Sequence, residues 1–290
     1  MTRKTGLLSR IFSEVVGEEQ AKVISKGVDI IGDIAVIKSP PEMGDTNRRL
    51  GEALIRAMPY IKVVLRQSSP VQGAYRLRGF ERLAGESRTE TTHKEFACTY
   101  VVDIAKTYFS PRLSTERNRV AEDVCKTSKA PSEVIINMFA GVGGFSILIA
   151  KKNRHVKVYS LDVNADAVRY MMLNIRKNKV SPQVTAGLGD AVKLIEESFS
   201  GWADRVLMPL PERAREYLPY ALKALKADGG VIYYELFVHA GRGEDPVKKA
   251  EEETARLLQG LSPSLSGRVI RDVGPFWFQV AQDIRIGEAR

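Results

Sequence analysis

Apolar and polar positions follow two different rhythms along the chain. After a basic, polar lead, Met1–Arg10, the stretch Leu7–Lys26 has helical apolar spacing. Val28–Lys38 reads as a strand interrupted at Gly32, and Ser39-Pro40-Pro41 stops it. Gly51–Ala57 reads as a helix, and Ile61–Arg66 and Thr99–Ala105 as short strands. This pattern predicts a small α+β domain over residues 1–107. A connecting helical region over 108–131 follows, in which Ser110-Pro111-Arg112 and Lys129-Ala130-Pro131 bracket a helix-like Ser114–Cys125.

From Ser132 strands and helices alternate strictly. Strands are predicted at Val134–Met138, Val156–Leu161, Val184–Ala186, Arg205–Met208 and Gly230–Phe237. Helices are predicted at Gly143–Lys152, Ala165–Lys179, Ala191–Glu197, Glu212–Lys226 and Pro246–Gln259. Arg268–Asp272 and Phe276–Ile286 read as a closing hairpin joined at Gly274-Pro275. Such alternation builds βαβ units and a mostly parallel sheet, to which the hairpin adds an antiparallel edge. The second domain, 132–290, is therefore expected to be α/β.

Composition narrows the class. With 44% apolar and 27% charged residues, the chain is neither disordered, collagen-like nor a disulfide scaffold. Two isolated cysteines, Cys98 and Cys125, supply no zinc cage, and a reducing, cytoplasmic setting is expected. The stretch Val134–Ala150 is too short and too rich in glycine for a membrane span, and Met1–Arg10 leads into no signal-like apolar region. Net charge is +9, and Lys62–Arg119 alone holds eleven Lys/Arg against six Asp/Glu. That excess favours a polyanionic partner, although ordinary solubility charge also accounts for part of it.

Candidate chemistry gathers at the strand ends of the second domain. Phe139-Ala-Gly-Val-Gly-Gly-Phe145 follows the first strand and opens a helix, but it is not the G-x-G-x-x-G dinucleotide fingerprint. Asp162 ends the second strand, 21 residues after Gly141, where a carboxylate can accept both hydroxyls of a ribose. Gly189-Asp190-Ala191 follows the third strand, where Asp190 could meet an adenine amino group. A helix N-cap explains either acid alone. Both acids together with the glycine turn favour a nucleoside ligand, and S-adenosylmethionine fits better than NAD.

Two longer runs carry a resemblance. Asn137-Met-Phe-Ala-Gly-Val-Gly-Gly-Phe-Ser146 and Tyr108-Phe-Ser-Pro-Arg-Leu-Ser-Thr-Glu-Arg117 resemble the archaeal and eukaryotic tRNA (guanine-37-N1)-methyltransferase family. Gly32–Ile37, Gly85-Glu86, Thr92–Glu95 and Gly229–Tyr234 match it as well, so the resemblance runs from about Val28 onward. It implies a Rossmann-like class I methyltransferase domain, S-adenosylmethionine as cofactor and the tRNA anticodon loop as partner, with no metal and a monomeric state. Glu116 is then the base for the guanine N1 proton, and Arg76 stabilises charge on the guanine oxygen. Tyr108, Arg117, Phe139, Gly141, Asp162, Val163, Asp190, Ala191 and the run Pro209-Leu210-Pro211 fall on the cofactor side. Arg76, Arg78, Arg88 and Arg112 fall on the RNA side. Glu116 could instead be a helix carboxylate balanced by Arg112, Arg117 and Arg119, and Tyr108 and Phe139 could be core aromatics.

The chain departs from the family pattern at three positions. Asn137 stands in place of an Asp, Gly144 in place of a Pro, and Pro209 in place of the Asn that helps hold cofactor and base. Archaeal members also commonly carry a further N-terminal module, and its contact with the tRNA elbow is expected to be missing or replaced here. The resemblance leaves two other activities open: C7 methyl or aminocarboxypropyl transfer in wybutosine-type base synthesis, and an inactive tRNA-binding paralogue.

Overall fold

Gly17 divides what the apolar spacing reads as one helix. Its φ of 78° lies outside the range a helix uses, so the chain forms α1 (Arg3–Val16) and α2 (Glu18–Lys26) instead. The helix also begins earlier than the polar lead suggests, because Leu8, Ile11 and Phe12 form a buried stripe at helical spacing. The computed structural model describes residues 3–128 and 132–287; the Lys129–Pro131 stop predicted from the sequence lies outside them. The chain divides into two compact units, Met1–Ser114 and Thr115–Arg290.

In the first unit, the strand predicted over Val28–Lys38 is a hairpin: β1 (Asp29–Ile31) and β2 (Ile34–Ile37) turn at Gly32-Asp33. Then come α3 (Asp45–Ala57), β3 (Val63–Gln67), β4 (Phe80–Gly85), β5 (Glu90–Glu95) and β6 (Cys98–Asp103). The first four strands form one sheet in the order β1-β2-β3-β4, with only β2 and β3 parallel, while β5 and β6 form a separate ribbon. Strands β4 and β5 are absent from the sequence reading for a physical reason. β4 is a sheet edge and β5 belongs to a two-stranded ribbon, so both carry charged positions and too few apolar ones to show a buried face. Phe12, Leu50, Leu54, Ile61 and Val64 centre this unit's core.

The second unit opens with α4 (Ser114–Thr127), the helix placed by the sequence in the connecting region. There follow β7 (Glu133–Asn137), α5 (Gly144–Lys152), β8 (Val156–Asp162), α6 (Ala165–Lys177), β9 (Val184–Leu188) and α7 (Ala191–Leu194), which runs into a π-helical turn. β10 (Arg205–Met208), α8 (Ala214–Ala224), β11 (Gly230–His239), α9 (Pro246–Leu257), β12 (Ser264–Gly274) and β13 (Trp277–Ile286) complete it. The sheet order is β12-β13-β11-β10-β7-β8-β9. The five strands β7 to β11 are mutually parallel, and β13 pairs antiparallel with both β11 and β12, which gives the expected antiparallel edge. Ile136, Val206, Ile232, Leu218 and Ile284 pack between the sheet and its helices. Helix α5 is buried over most of its length, as the glycine turn leading into it requires.

Candidate active site

The first and second parallel strands end beside each other, and there the chain builds a polar turn. Asn137, fully buried at the end of β7, donates from Nδ2 to Ser146 Oγ at 3.0 Å, and its Oδ1 accepts from the Phe139 N–H at 3.3 Å. A neutral amide serves both partners, so the family's Asp is not needed to shape the loop. Gly143 holds φ 91°, and a Cβ there would stand 2.8 Å from Ile147 Cδ1. A Cβ on Gly144 would stand 3.1 Å from Arg117 Cδ. Arg117 is buried and packs close against the turn at Gly144.

Asp162 joins this turn to the second strand. Its Oδ2 accepts from the Gly141 N–H at 2.7 Å and its Oδ1 from the Asn164 N–H at 2.9 Å. It is not the cap of α6; Asn164 is, accepting from the N–H groups of Asp166 and Ala167. Burial pushes the Asp162 carboxyl above its ordinary range, and the backbone donors of Asn164, Gly141 and Val163 pull the other way. Among the described residues no cation pairs with it. The N–H groups of Gly141, Asn164 and Val163 take up much of its acceptor capacity, and what remains suits a ribose hydroxyl. Val163 next to it is exposed.

Asp190 caps α7, and both cap bonds, from Val192 and Lys193, go to the same oxygen, Oδ1. The second oxygen remains available to a ligand donor, so the cap and the adenine contact are compatible. Asp190 acts electrostatically on Tyr217 and Arg213. Phe139 meets Tyr217 edge to face at 4.8 Å, and Arg213 lies over the Tyr217 ring at 4.7 Å. Phe139 is only partly buried, so it packs on the core and still presents surface beside the turn. Ala191 is buried at the first position of α7. Pro209 and Leu210 follow β10, and Pro211 starts a short 3₁₀ turn.

Glu116 is buried rather than surface-exposed, and Arg119, one of the arginines the sequence suggests, is joined at it by Arg268, which the sequence does not suggest. Arg119 donates to it at 2.8 Å and Arg268 at 3.2 Å; both arginines also reach Asp283, Arg119 at 2.9 Å and Arg268 at 2.8 Å. Burial opposes the charge on Arg119, yet Glu116 and Asp283 hold its pKa above the ordinary value. Glu116 and Pro209 line one narrow cavity of about 10 Å³ together with Tyr234 and Glu235, room for about one water. Sequence reading finds Glu116 but misses Arg268 and Asp283, which lie more than a hundred residues away on the closing hairpin. Sequence reading also misses Asn164 as the cap of α6, although its place just before a helical run is the signal that finds it.

The remaining candidates lie in the first unit. The Arg76 guanidinium sits 3.9 Å above the centre of the Tyr108 ring, so these two are brought together. Arg76 has φ 55°, an uncommon backbone for a non-glycine residue. Arg78 leans toward Phe80 and Gln67. Arg88 is clamped by Asp33 at 2.6 Å and Glu86 at 2.7 Å, and Asp33 above all raises its pKa further. Arg112 bonds to Asp29 at 2.6 Å. Arg88 and Arg112 therefore answer carboxylates of their own unit. None of the described helices is long and apolar enough to cross a membrane, and the described residues hold no His/Cys/Asp/Glu cluster suited to a metal ion.

A parallel sheet with a glycine turn after its first strand, an acid after its second and an antiparallel closing hairpin is a Rossmann-like methyltransferase domain. The model of the TRM5/TYW2 methyltransferase domain matches residues 91–259, and that of the TYW2 N-terminal domain residues 8–89. The chain belongs to the TRM5/TYW2 methyltransferase family. It is 39% identical to the tRNA 4-demethylwyosine(37)-methyltransferase Taw21 of Saccharolobus solfataricus, over 90% of this chain and 94% of the relative. It is 38% identical to the tRNA (guanine(37)-N(1))-methyltransferase Trm5b of Pyrococcus abyssi, over 93% of this chain and 78% of the relative. A solved complex of aTrm5 with tRNALeu superimposes with a TM-score of 0.80 at 31% identity, covering 95% of this chain and 78% of that one. TYW2 of P. horikoshii in complex with MeSAdo gives 0.73 at 26% identity, covering 97% and 100%.

Proposed function

We propose that this protein transfers the methyl group of S-adenosylmethionine to the guanine-derived base at position 37 of tRNA, with N1 of guanosine as the acceptor. The observation that carries the cofactor is Asp162, a partly buried carboxylate at the end of β8, held by backbone N–H groups of the glycine turn and its own loop with no cation partner among the described residues. Asp162 holds the ribose, Asp190 the adenine edge, and Arg117 with the Gly141–Gly144 turn the amino-acid end. The cofactor supplies an electrophilic methyl group on a sulfonium.

The protein's own residues supply the rest. Guanine N1 carries a proton at neutral pH, so its attack needs a base within reach. Glu116 takes that proton, and the paired arginines Arg119 and Arg268 keep its carboxylate fixed in direction. Arg76 carries the role the resemblance gives it, charge stabilisation at the base oxygen, with its guanidinium steadied on the Tyr108 ring. The two domains divide the work: residues 1–107 face the RNA, and the sheet from residue 132 onward binds the cofactor.

Pro209 favours a second reading, methylation of 4-demethylwyosine at position 37, the activity in the name of Taw21, with C7 as the acceptor. Without the family's side-chain amide, the loop beside Glu116 offers fewer donors to the Watson–Crick edge of a guanine. Nucleoside mass analysis decides. Incubation with unmodified tRNA transcript is expected to yield 1-methylguanosine at position 37. Methyl transfer seen only on tRNA that already carries the tricyclic base would overturn N1 in favour of C7.

A further inference from the structure

β11 runs past its parallel neighbour. The last β10–β11 pair is Met208 with Tyr234, whereas β11 continues, paired with β13, to His239 opposite Trp277. Five more residues at about 3.4 Å each carry the β11–β13–β12 ribbon roughly 17 Å beyond the edge at which Asp162 and Pro209 lie. Its tip is Gly274-Pro275-Phe276, and the Ala240 N–H bonds to the Phe276 carbonyl at 2.9 Å. Hairpin tips ordinarily carry small polar residues. Here Phe276 is 50% and Trp277 46% exposed, and Phe276 holds φ 61°, an uncommon conformation for a bulky side chain. His239 packs edge to face against both rings, at 6.4 and 5.2 Å. The turn after β11 places an exposed Arg242 nearby, and among the described residues no carboxylate pairs with it.

We infer that this overhanging tip is a stacking platform for an unpaired RNA base next to the acceptor nucleotide. Exposed aromatic rings beside an uncommitted arginine are the combination that holds single-stranded nucleic acid, the rings taking base faces and the cation a phosphate. The size of the patch points the same way. The two half-exposed rings offer roughly 200 Å² of ring surface, enough for one or two bases. The chain's net charge of +9 suits the same partner. The inference rests on the reading of position-37 tRNA as substrate, and it assigns the tip a base other than the one methylated.

The test uses the full chain in a Trp202→Phe background, which leaves Trp277 as the sole tryptophan. Titration with an anticodon stem-loop RNA is expected to quench Trp277 emission. The Phe276→Ala/Trp277→Ala variant, whose sites are exposed and whose melting temperature serves as the folding check, is expected to bind the stem-loop about 5- to 150-fold more weakly. Trp277→Phe alone should recover most of that loss, and a blunt RNA duplex should bind the variants and their parent equally. Affinity for the stem-loop within twofold of the parent overturns the platform, as does an equal loss on the duplex. So does a dimer in sedimentation that the double variant abolishes while RNA binding is retained, which would make the tip a contact between copies. Nucleoside analysis separates this outcome from the functional reading: methylation at position 37 with undiminished variant affinity removes only the platform. Loss of affinity without a methyl group at position 37 removes only the reading of the reaction.

Discussion

Replacing Asp162 with Asn tests the cofactor site most directly. The substitution keeps size and shape but leaves one acceptor oxygen where the structure uses two, at 2.7 Å to the Gly141 N–H and 2.9 Å to the Asn164 N–H. The new amide must turn its NH₂ toward one of these donors or toward a ribose hydroxyl. A hydrogen bond to a charged group is worth about 1.5–3 kcal/mol, so one lost bond weakens cofactor binding about 10- to 150-fold. The same donor conflict at the turn should lower the melting temperature. pH supplies an independent check. Burial raises the Asp162 pKa, so the folded protein holds that proton more tightly than the unfolded chain does. Stability contributed by this group is thus present at low pH and falls as pH rises through the raised value. Cofactor affinity runs oppositely, because the ionised carboxylate is the stronger acceptor for a ribose hydroxyl: it should climb through the same window and then level. Isothermal titration with S-adenosylmethionine across pH, on wild type and Asp162→Asn, measures both effects. An Asn variant with wild-type affinity, or a wild-type affinity flat across the acid range, would refute the assignment.

Four further outcomes follow from the geometry. Glu116→Gln should slow single-turnover methyl transfer by about 10²–10⁴ while cofactor affinity is unchanged, because the amide cannot take the proton; rapid-quench kinetics with labelled cofactor measures it, and a wild-type rate sinks the assignment. Gly143→Ala should cost about 1–3 kcal/mol in denaturant unfolding, since the residue holds φ 91° and its Cβ would lie 2.8 Å from Ile147 Cδ1. Removing charge at Arg78 should shallow the log–log salt dependence of tRNA binding by about 0.7–0.9 per lost phosphate contact. Arg88→Ala should leave that slope unchanged and lower stability instead, because Asp33 and Glu86 already hold its guanidinium; an equal change of slope for both variants would show that the clamp opens on RNA.

Local patterns made the second unit legible. Buried parallel strands are apolar runs, and the turns between them carry glycine and acids, so the sheet, its antiparallel edge and the strand-end residues could be read residue by residue. Asp162 was placed at a strand end, yet its grip on the Gly141 N–H was not, because that bond joins loops 21 residues apart. The first unit was read less completely. Strands β4 and β5 carry charge on exposed faces, and Gly17 breaks a helix whose apolar spacing continues across it. Glu116 was found through its motif, but Arg268 and Asp283 carry no local sign of their role. Arg88 and Arg112 show the same limit: composition marks them as basic, and only the fold reveals the carboxylates that claim them.

The position of β13 in the sheet order sets the sequence in which this molecule can assemble. β13 lies between β11 and β12, so the sheet has a gap until Trp277–Ile286 enters it. The Glu116–Arg268 contact spans 152 residues and Arg119–Asp283 spans 164. Contacts of such separation close late, because the entropy of a long loop is lost before any bond forms. A nascent chain can therefore complete β7 to β10 and the glycine turn while Glu116 still lacks two of its charged neighbours. Cofactor binding and proton transfer should mature at different times in refolding, with methyl transfer appearing only when the closing ribbon docks.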